Sequence, residues 1–555
     1  MKLFVRYLAA AFLAASMCFQ ADARGIVVKG RITDSSTGKG IAGVPVTDGY
    51  SYVRTNASGR YRINPDSRAV KIYYTTPSAY AVNLDSKNHL PCFFSEGTLT
   101  QKRRQKVDFQ LTPLAGGPEK EFTLLMVGDP QCSNKKDAAR YSNETVPDVR
   151  ETAEACPGSV YAVTLGDVTF DNSGLWDTMT GTMSNLSTSR GYIPFFQCMG
   201  NHDHDSLQKD TDDDADDDLR ARGLYVNAFG PSDYSFDRGD VHIVVMDDII
   251  VSSHSSSARA NKMTWKYETG FTDRQLEWLR QDIGCVDNPQ EKMIVLCIHA
   301  PFRSSTKHHQ KDVLKLMCGF KEAHIMAAHT HTQLNIIHKD AVTLGGTPVY
   351  EHVHGTACGG WWVNNTNLGG SPCGYNVYSI SGPNVTSWRF KGTGRPADYQ
   401  LRVYDGSQTY TGRRNIEYRW YDLQTKDEAG VVSTGFAEAK GALVAEVFDD
   451  DGENWKLEMW MDGAKAGDFI HKKENISNVA LAAFFHNVQG RKGKHWRGNN
   501  TPHYWYFTLP EGITAADLES GAHSWEVRAI FTVPTNKANV LTYTCSRITR
   551  DYSEF

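Results

Sequence analysis

The sequence predicts an α/β core with a β-rich domain on either side of it. Three observations lead there. Between about residues 121 and 392, short apolar, β-prone runs alternate with polar helical stretches, the pattern of layered strands and helices. Five of those apolar runs end in a side chain able to hold a metal ion. Before and after this segment, short β-branched or aromatic runs are separated by Gly, Asn and Ser turns. At 555 residues the chain exceeds what one hydrophobic core serves, so roughly two to four domains are expected.

Residues 1–23 read as a signal peptide. Lys2 and Arg6 precede an apolar run from Tyr7 to Phe19, and Ala21-Asp22-Ala23 supplies small residues for cleavage. Lipid anchoring through Cys18 is the rival, but Met17 is a poor residue before a lipidated Cys. The run is too short to span a bilayer permanently and no other stretch qualifies. The expected product is an exported protein, periplasmic or at the cell surface, with no transmembrane segment after signal removal. Ten Cys remain, and Cys358 and Cys373, which flank one Gly-rich loop, are the first pair to test for a disulfide. Cys198 and Cys297 lie within apolar runs and read as buried thiols. No CxxC motif supports a zinc ribbon.

Residues 24–112 are expected to form a β-sandwich, similar to transthyretin-like or carboxypeptidase-regulatory modules. The basic cluster Lys102-Arg103-Arg104 with Lys106 reads as a solvated turn, and a net charge of −5 without a basic stripe argues against a nucleic-acid polymer as partner. Pro113 to Pro118 is a linker. Residues 119–392 form the core domain. Its strands are Phe122 to Val127, Val160 to Leu165, Ile193 to Cys198, Val241 to Met246, Met293 to Ile298 and Ile325 to Ala328. A helix from Lys135 to Ala155 should be interrupted near Pro147. Thr272 with Gln275 predicts a capped helix over Glu277 to Leu279. The acidic run Asp210 to Asp218 reads as an exposed loop. Residues 396–555 form a C-terminal β-rich domain, in which Asp449-Asp450-Asp451-Gly452 reads as a hairpin turn, since the spacing of a calcium loop is absent.

The five strand ends are Gly128-Asp129-Pro130-Gln131, Gly166-Asp167, Gly200-Asn201-His202-Asp203, His299-Ala300-Pro301 and Ala328-His329-Thr330-His331. Ligands gather outside the carboxyl ends of strands in such sheets. In an extended segment, Asp129 with Gln131 and His329 with His331, each at i, i+2, would point the same way. Asp167, in the middle of the series, is the candidate bridging carboxylate of a two-metal site, whose ions lie about 3.5–4 Å apart.

In order and spacing these motifs resemble those of the calcineurin-like metallophosphoesterases, and the three-part layout resembles the exported bacterial subgroup with its own N- and C-terminal β domains. The resemblance implies a four-layer core of two mixed sheets flanked by helices. It implies two divalent ions, the first held by Asp129, Gln131, Asp167 and His331 and the second by Asp167, Asn201, His299 and His329. A hydroxide bound by both ions would attack the phosphorus of a phosphomonoester or phosphodiester. His202 would protonate the leaving group, and Asp203 is its nearest acidic partner in sequence. Mn, Fe, Zn or Mg would fit. Gln131 stands where most members carry His, and its neutral amide oxygen favours Mn²⁺ or Mg²⁺ over Zn²⁺. Trp361, Trp362 and Arg303 are substrate candidates for a small phosphate ester, a lipid headgroup or a glycan, with packing between domains as the alternative for the tryptophans. A nucleotide or nucleotide-sugar pyrophosphatase is a second reading, and a non-catalytic binding protein on this scaffold a third. His204, His308 and His309 are expected to be exposed. His242, His324, His338 and His352 are expected to be structural, and His354 stays open between site and structure.

Overall fold

A computed structural model describes residues 26–100, 104–205, 214–256, 263–302, 308–411, 417–421, 435–491 and 498–555. The expected signal peptide with Cys18, Lys102 and Arg103, Asp210 to Asp213 of the acidic run, and Arg303 lie outside the described residues. Asp214 starts a helix, Asp214–Ala221, that carries the rest of that run in place of the expected loop.

The chain forms two compact units. One comprises the described residues up to Tyr74 together with Phe94–Thr112, and the other Thr75–Phe93 with Pro113–Phe555. In the first unit, Val27–Asp34 pairs with Arg60–Ile63, Arg104–Lys106 and Phe109–Leu111, and Pro45–Thr47 pairs with Tyr52–Arg54 and Tyr73–Tyr74. Alternation places Val28, Ile32, Val46, Tyr61 and Ile63 inside, while Lys29, Arg60 and Arg62 face water.

Two mixed sheets make the centre of the second unit. The first runs Phe195–Cys198, Ser159–Leu165, Glu121–Val127, Gly374–Ser381, Asn384–Gly392, with the first three strands parallel. The second runs Tyr234–Arg238, Val241–Val245, Met293–Cys297, Glu322–Ala327, Pro348–Val353, Leu334–Val342, with antiparallel strands at both edges. The parallel strands are covered on both faces, so they read as unbroken apolar runs rather than alternating ones. Helix Val146–Ala155 lays Val149 and Ala153 on Leu125, Val127 and Ala162 of the first sheet. Helix Asp273–Ile283 starts at the expected Thr272–Gln275 capping box. The interruption expected near Pro147 is a π-helical turn over Tyr141–Thr145. Proline has no N–H to return to the preceding turn, so it opens the next helix instead.

Strand register sets where the motif segments emerge. Val127 pairs with Thr164, Leu165 with Cys198, Val245 with Cys297 and Cys297 with Met326. The strands of each sheet therefore end at one level, and the five motif segments leave from that edge. Beyond residue 400 come two antiparallel four-stranded sheets. One holds Leu401–Asp405, Ala442–Val447, Tyr504–Thr508 and Ile470–His471, and the other Ala464–Asp468, Trp455–Met461, Trp525–Thr532 and Val540–Cys545. The turn at Asp450–Gly452 links these two sheets and is not a hairpin, because its flanking strands, Ala442–Val447 and Trp455–Met461, pair in different sheets. Among the described residues no helix is long and apolar enough to cross a membrane.

Candidate metal centre

All seven candidate ligands converge at the shared edge of the two sheets. Asp167 lies at the middle. Its Oδ2 accepts from Gln131 Nε2 at 2.9 Å and sits 3.3 Å from His299 Nε2, while its Oδ1 accepts from the His202 backbone N–H at 2.8 Å. His299 Nε2 is 3.0 Å from Asn201 Oδ1 and 3.1 Å from His329 Nδ1. The ligand atoms of Asp167, His299 and His329 all lie within 4.8 Å of one another. On the other flank, Asp129 Oδ1 lies 3.8 Å from His331 Nε2, and Asp129 Oδ2 accepts from the His329 backbone N–H.

The i, i+2 pairs meet for a reason other than an extended backbone. Asp129, Gln131, Asp167, His329 and His331 all have positive φ, between 40° and 65°. Non-glycine residues seldom adopt the left-handed region, at a cost of order 1–3 kcal/mol each, and such residues gather at functional sites. Each strand thus turns sharply as it ends and aims its ligand across the gap between the sheets. Gly166 and Gly200 allow the approach. A Cβ on Gly166, at φ 88°, would lie 2.5 Å from His299 Nδ1, and one on Gly200 would collide with the Asp167 amide nitrogen and Oδ1.

Side chains behind the candidate ligands orient them. His299 Nδ1 donates to the Leu165 carbonyl at 2.8 Å, which leaves Nε2 to face the cluster. Asp248 accepts from the backbone N–H groups of His299 and Ala300. The Asp203 carboxylate accepts from the Gly200, Val168 and Thr169 N–H groups, so it ties two motif loops together and is not the partner of the His202 ring. The acidic partner of His202 is Asp171, whose Oδ1 is 2.8 Å from Nδ1, and Phe170 stacks on the same ring at 4.1 Å. Asp171 and Asp248 escaped the motif reading. Asp248 closes the Val241–Met246 run as the ligand residues close theirs, and that signal was available.

Electrostatics at the site is set by burial and crowding. Burial raises Asp129 to about 7, with Asp167 adding to the rise. Burial would also raise Asp167, but His299, His202 and His329 hold it far below the usual carboxylate range. Burial pushes His331 down to about 4, so it stays a neutral imidazole. His202 goes the other way, since Asp167 and Asp171 outweigh its burial and lift it to about 9. The donor set fits a cation: Asp129 Oδ1 and His331 Nδ1 are buried without a hydrogen-bond partner among the described residues. Gln131 turns its Nε2 toward Asp167 and its Oε1 toward Cys358 Sγ, 4.0 Å away, so a flip of the amide would present the oxygen.

The remaining candidates separate. Trp362 is buried, donates from Nε1 to the Pro130 carbonyl at 2.8 Å and packs edge-on to Tyr141. It is a packing residue behind the first motif. Trp361 lies over His331, ring centroids 4.8 Å apart, and packs against Leu368, Leu481, Phe484 and Phe485. Cys358 and Cys373 are both free, buried thiols, so the expected bridge is absent. His204 is buried, not exposed, with Nδ1 3.0 Å from the Gly200 carbonyl and Nε2 3.3 Å from Asp247. His308 and His309 are half-buried rather than exposed, the first paired with Glu268 and the second with Asp273 and Asp312. His354 is structural, held between the Ala327 carbonyl and the Tyr378 hydroxyl.

Three family models cover most of the chain. The calcineurin-like phosphoesterase model matches residues 122–333, the model for the N terminal of calcineurin-like phosphoesterase matches 26–114, and that for the C terminal matches 351–533. The chain is a calcineurin-like phosphoesterase. As such it is a phosphoester hydrolase of a family that uses divalent metal ions, and the reading as a non-catalytic scaffold falls away. No curated protein matches the phosphoesterase. Among solved structures, NAD nucleotidase of Haemophilus influenzae is 11% identical with a TM-score of 0.26, covering 56% of this chain and 52% of its own, so the phosphoesterase spans about half that protein's length. The 5′-nucleotidase precursor of Thermus thermophilus is 11% identical with a TM-score of 0.27, covering 76% and 89%. The 5′-nucleotidase of Candida albicans is 10% identical with a TM-score of 0.26, covering 61% and 74%.

Proposed function

We propose that this phosphoesterase hydrolyses small phosphate esters outside the cytoplasm with two divalent ions sharing Asp167. The export half of the reading rests on the residue pattern of positions 1–23. The catalytic half rests on one observation above all: the Asp167 carboxylate sits between the Asp129, Gln131 and His331 group and the Asn201, His299 and His329 group. Asp129, Gln131, Asp167 and His331 would hold one ion, and Asp167, Asn201, His299 and His329 the other. When bound, such ions activate water and neutralise charge on the phosphoryl oxygens. Gln131 favours Mn²⁺ or Mg²⁺ at its side.

The chain's own residues supply the rest. His202 Nδ1 is engaged by Asp171, so its Nε2 is the nitrogen free to give a proton to the leaving oxygen. Phe170 covers one face of that ring and shields it from water. Trp361, over His331, offers a flat apolar surface for the alcohol part of the ester.

The test is hydrolysis of matched aryl phosphate mono- and diesters by Mn²⁺-reconstituted protein, with metal content measured alongside. The expectation is about two ions per chain and activity that disappears in Asp167→Ala and Asn201→Ala. Full activity in either variant would refute the site.

A further inference from the structure

The segment carrying His329 and His331 is gripped from the C-terminal domain by one carboxylate. Gln333, two residues past His331, is buried. Its Nε2 donates to Asp449 Oδ1 at 2.8 Å, and its Oε1 accepts from the Gly355 backbone N–H at 2.8 Å. Asn335 Nδ2 donates to the same Asp449 Oδ1 at 2.7 Å and to the Asp449 carbonyl at 3.1 Å. A carboxylate only accepts, so both amides must turn their NH₂ groups toward it and neither is free to flip. Gln333 then has its oxygen committed to Gly355.

Gly355 leads into a stretch that pairs with the first ligand segment. Thr356 bridges Gly128, and the Ala357 N–H donates to the Gly128 carbonyl at 2.8 Å. Gly128 precedes Asp129. The Gln333 amide thus stands between the chain just after His331 and the chain beside Asp129. These two residues own the orphaned buried atoms of the site. A second contact from the same domain holds the other end of the loop: Asn499 Nδ2 donates to Thr332 Oγ1 at 2.7 Å and to the Thr330 carbonyl at 3.3 Å.

We propose that Asp449 is a positioning residue of the metal centre, setting the spacing of Asp129 and His331 through Gln333. It touches neither substrate nor ligand. The inference rests on the two-ion reading above and adds to it a role for the C-terminal domain. Supporting groups behind metal ligands cost about 10–100-fold in affinity when lost, and Asp449 acts through an intermediary, so the low end of that range applies.

The experiment measures Mn²⁺ binding by calorimetry on the full chain, with the melting temperature of the metal-free protein beside it. Asp449→Ala and Gln333→Met should each bind the weaker of two Mn²⁺ about tenfold less tightly. Asn335→Ala removes the other amide from Asp449 Oδ1 and leaves the Gln333 link in place, so it should bind Mn²⁺ near the wild-type value. Should Asp449→Ala fail to fold, Gln333→Met and Asn335→Ala carry the comparison. Unchanged Mn²⁺ affinity in folded Asp449→Ala and Gln333→Met would overturn the role of Asp449 while leaving the metal centre standing, as would a loss in Asn335→Ala as large as that in Gln333→Met. Wild-type protein that binds no Mn²⁺ would overturn both.

Discussion

Asp171 Oδ1 lies 2.8 Å from His202 Nδ1, on the opposite side of the imidazole ring from Nε2, the nitrogen proposed to protonate the leaving group. Asp171→Asn should keep the ring in place yet weaken its hold on the proton. The cost should fall on esters with poor leaving groups, about 10²–10⁴-fold in kcat for His202→Gln and less for Asp171→Asn, since general acid catalysis is worth that much. Nitrophenyl esters, whose leaving group needs no proton, should lose little. Rate measurements across a series of leaving-group pKa values check it; equal losses at both ends of the series would remove His202 as the acid.

Gly166 combines a φ of 88° with a Cβ position 2.5 Å from His299 Nδ1 and 2.8 Å from the Gly200 Cα. Gly166→Ala should therefore displace His299, cost about 1–3 kcal/mol in backbone strain and remove activity. Denaturant unfolding and metal content, measured together, separate the two effects.

The two tryptophans should part company. Trp362→Ala removes a buried ring and its bond to the Pro130 carbonyl, so a loss of about 3–5 kcal/mol is expected. Trp361→Ala should leave unfolding nearer wild type and raise KM for esters of aromatic alcohols more than for phosphate esters of small alcohols. A steady-state comparison of the two substrate kinds tests it.

His242 predicts a pH effect far from the metal centre. Burial alone would lower this imidazole, but Asp282 at 2.9 Å from Nε2 and Asp237 at 2.7 Å from Nδ1 raise it to about 10. The folded state therefore keeps a proton that the unfolded state gives up near its ordinary value of about 6.5. The stabilisation is complete below about pH 6.5 and disappears as pH climbs toward 10. Breaking such a buried pair costs about 3–5 kcal/mol. His242→Gln should be less stable than wild type at pH 6, and the gap should narrow by pH 9.5. Urea titrations at the two pH values read it directly.

The ligand motifs were legible because each follows an apolar run that must be a strand, and strands in parallel register end together. What the sequence concealed were residues tied to the site only through three-dimensional contact. Asp171 lies four residues past Asp167 with no pattern of its own. Asp449 is more than a hundred residues from the Gln333 it grips, within an acidic triplet that reads as a turn. The left-handed backbone of Asp129, Gln131, His329 and His331 was invisible too, because such conformations in non-glycine residues are imposed by surroundings rather than by composition. His204 looked exposed beside an acidic run, but Asp218 on helix Asp214–Ala221 and Arg222 in the turn that follows it join Asp247 in burying it.

Both central sheets need strands that come after His331. Gly374–Ser381 pairs with Glu121–Val127, and Pro348–Val353 pairs with Glu322–Ala327. A fragment stopped at residue 333, where the match to the phosphoesterase model ends, would carry every candidate ligand yet leave two apolar strands with bare amide and carbonyl rows. Such rows recruit other chains. The smallest piece of this polypeptide that stays monodisperse on expression should therefore extend past Gly392, and shorter versions should precipitate or assemble through those open borders.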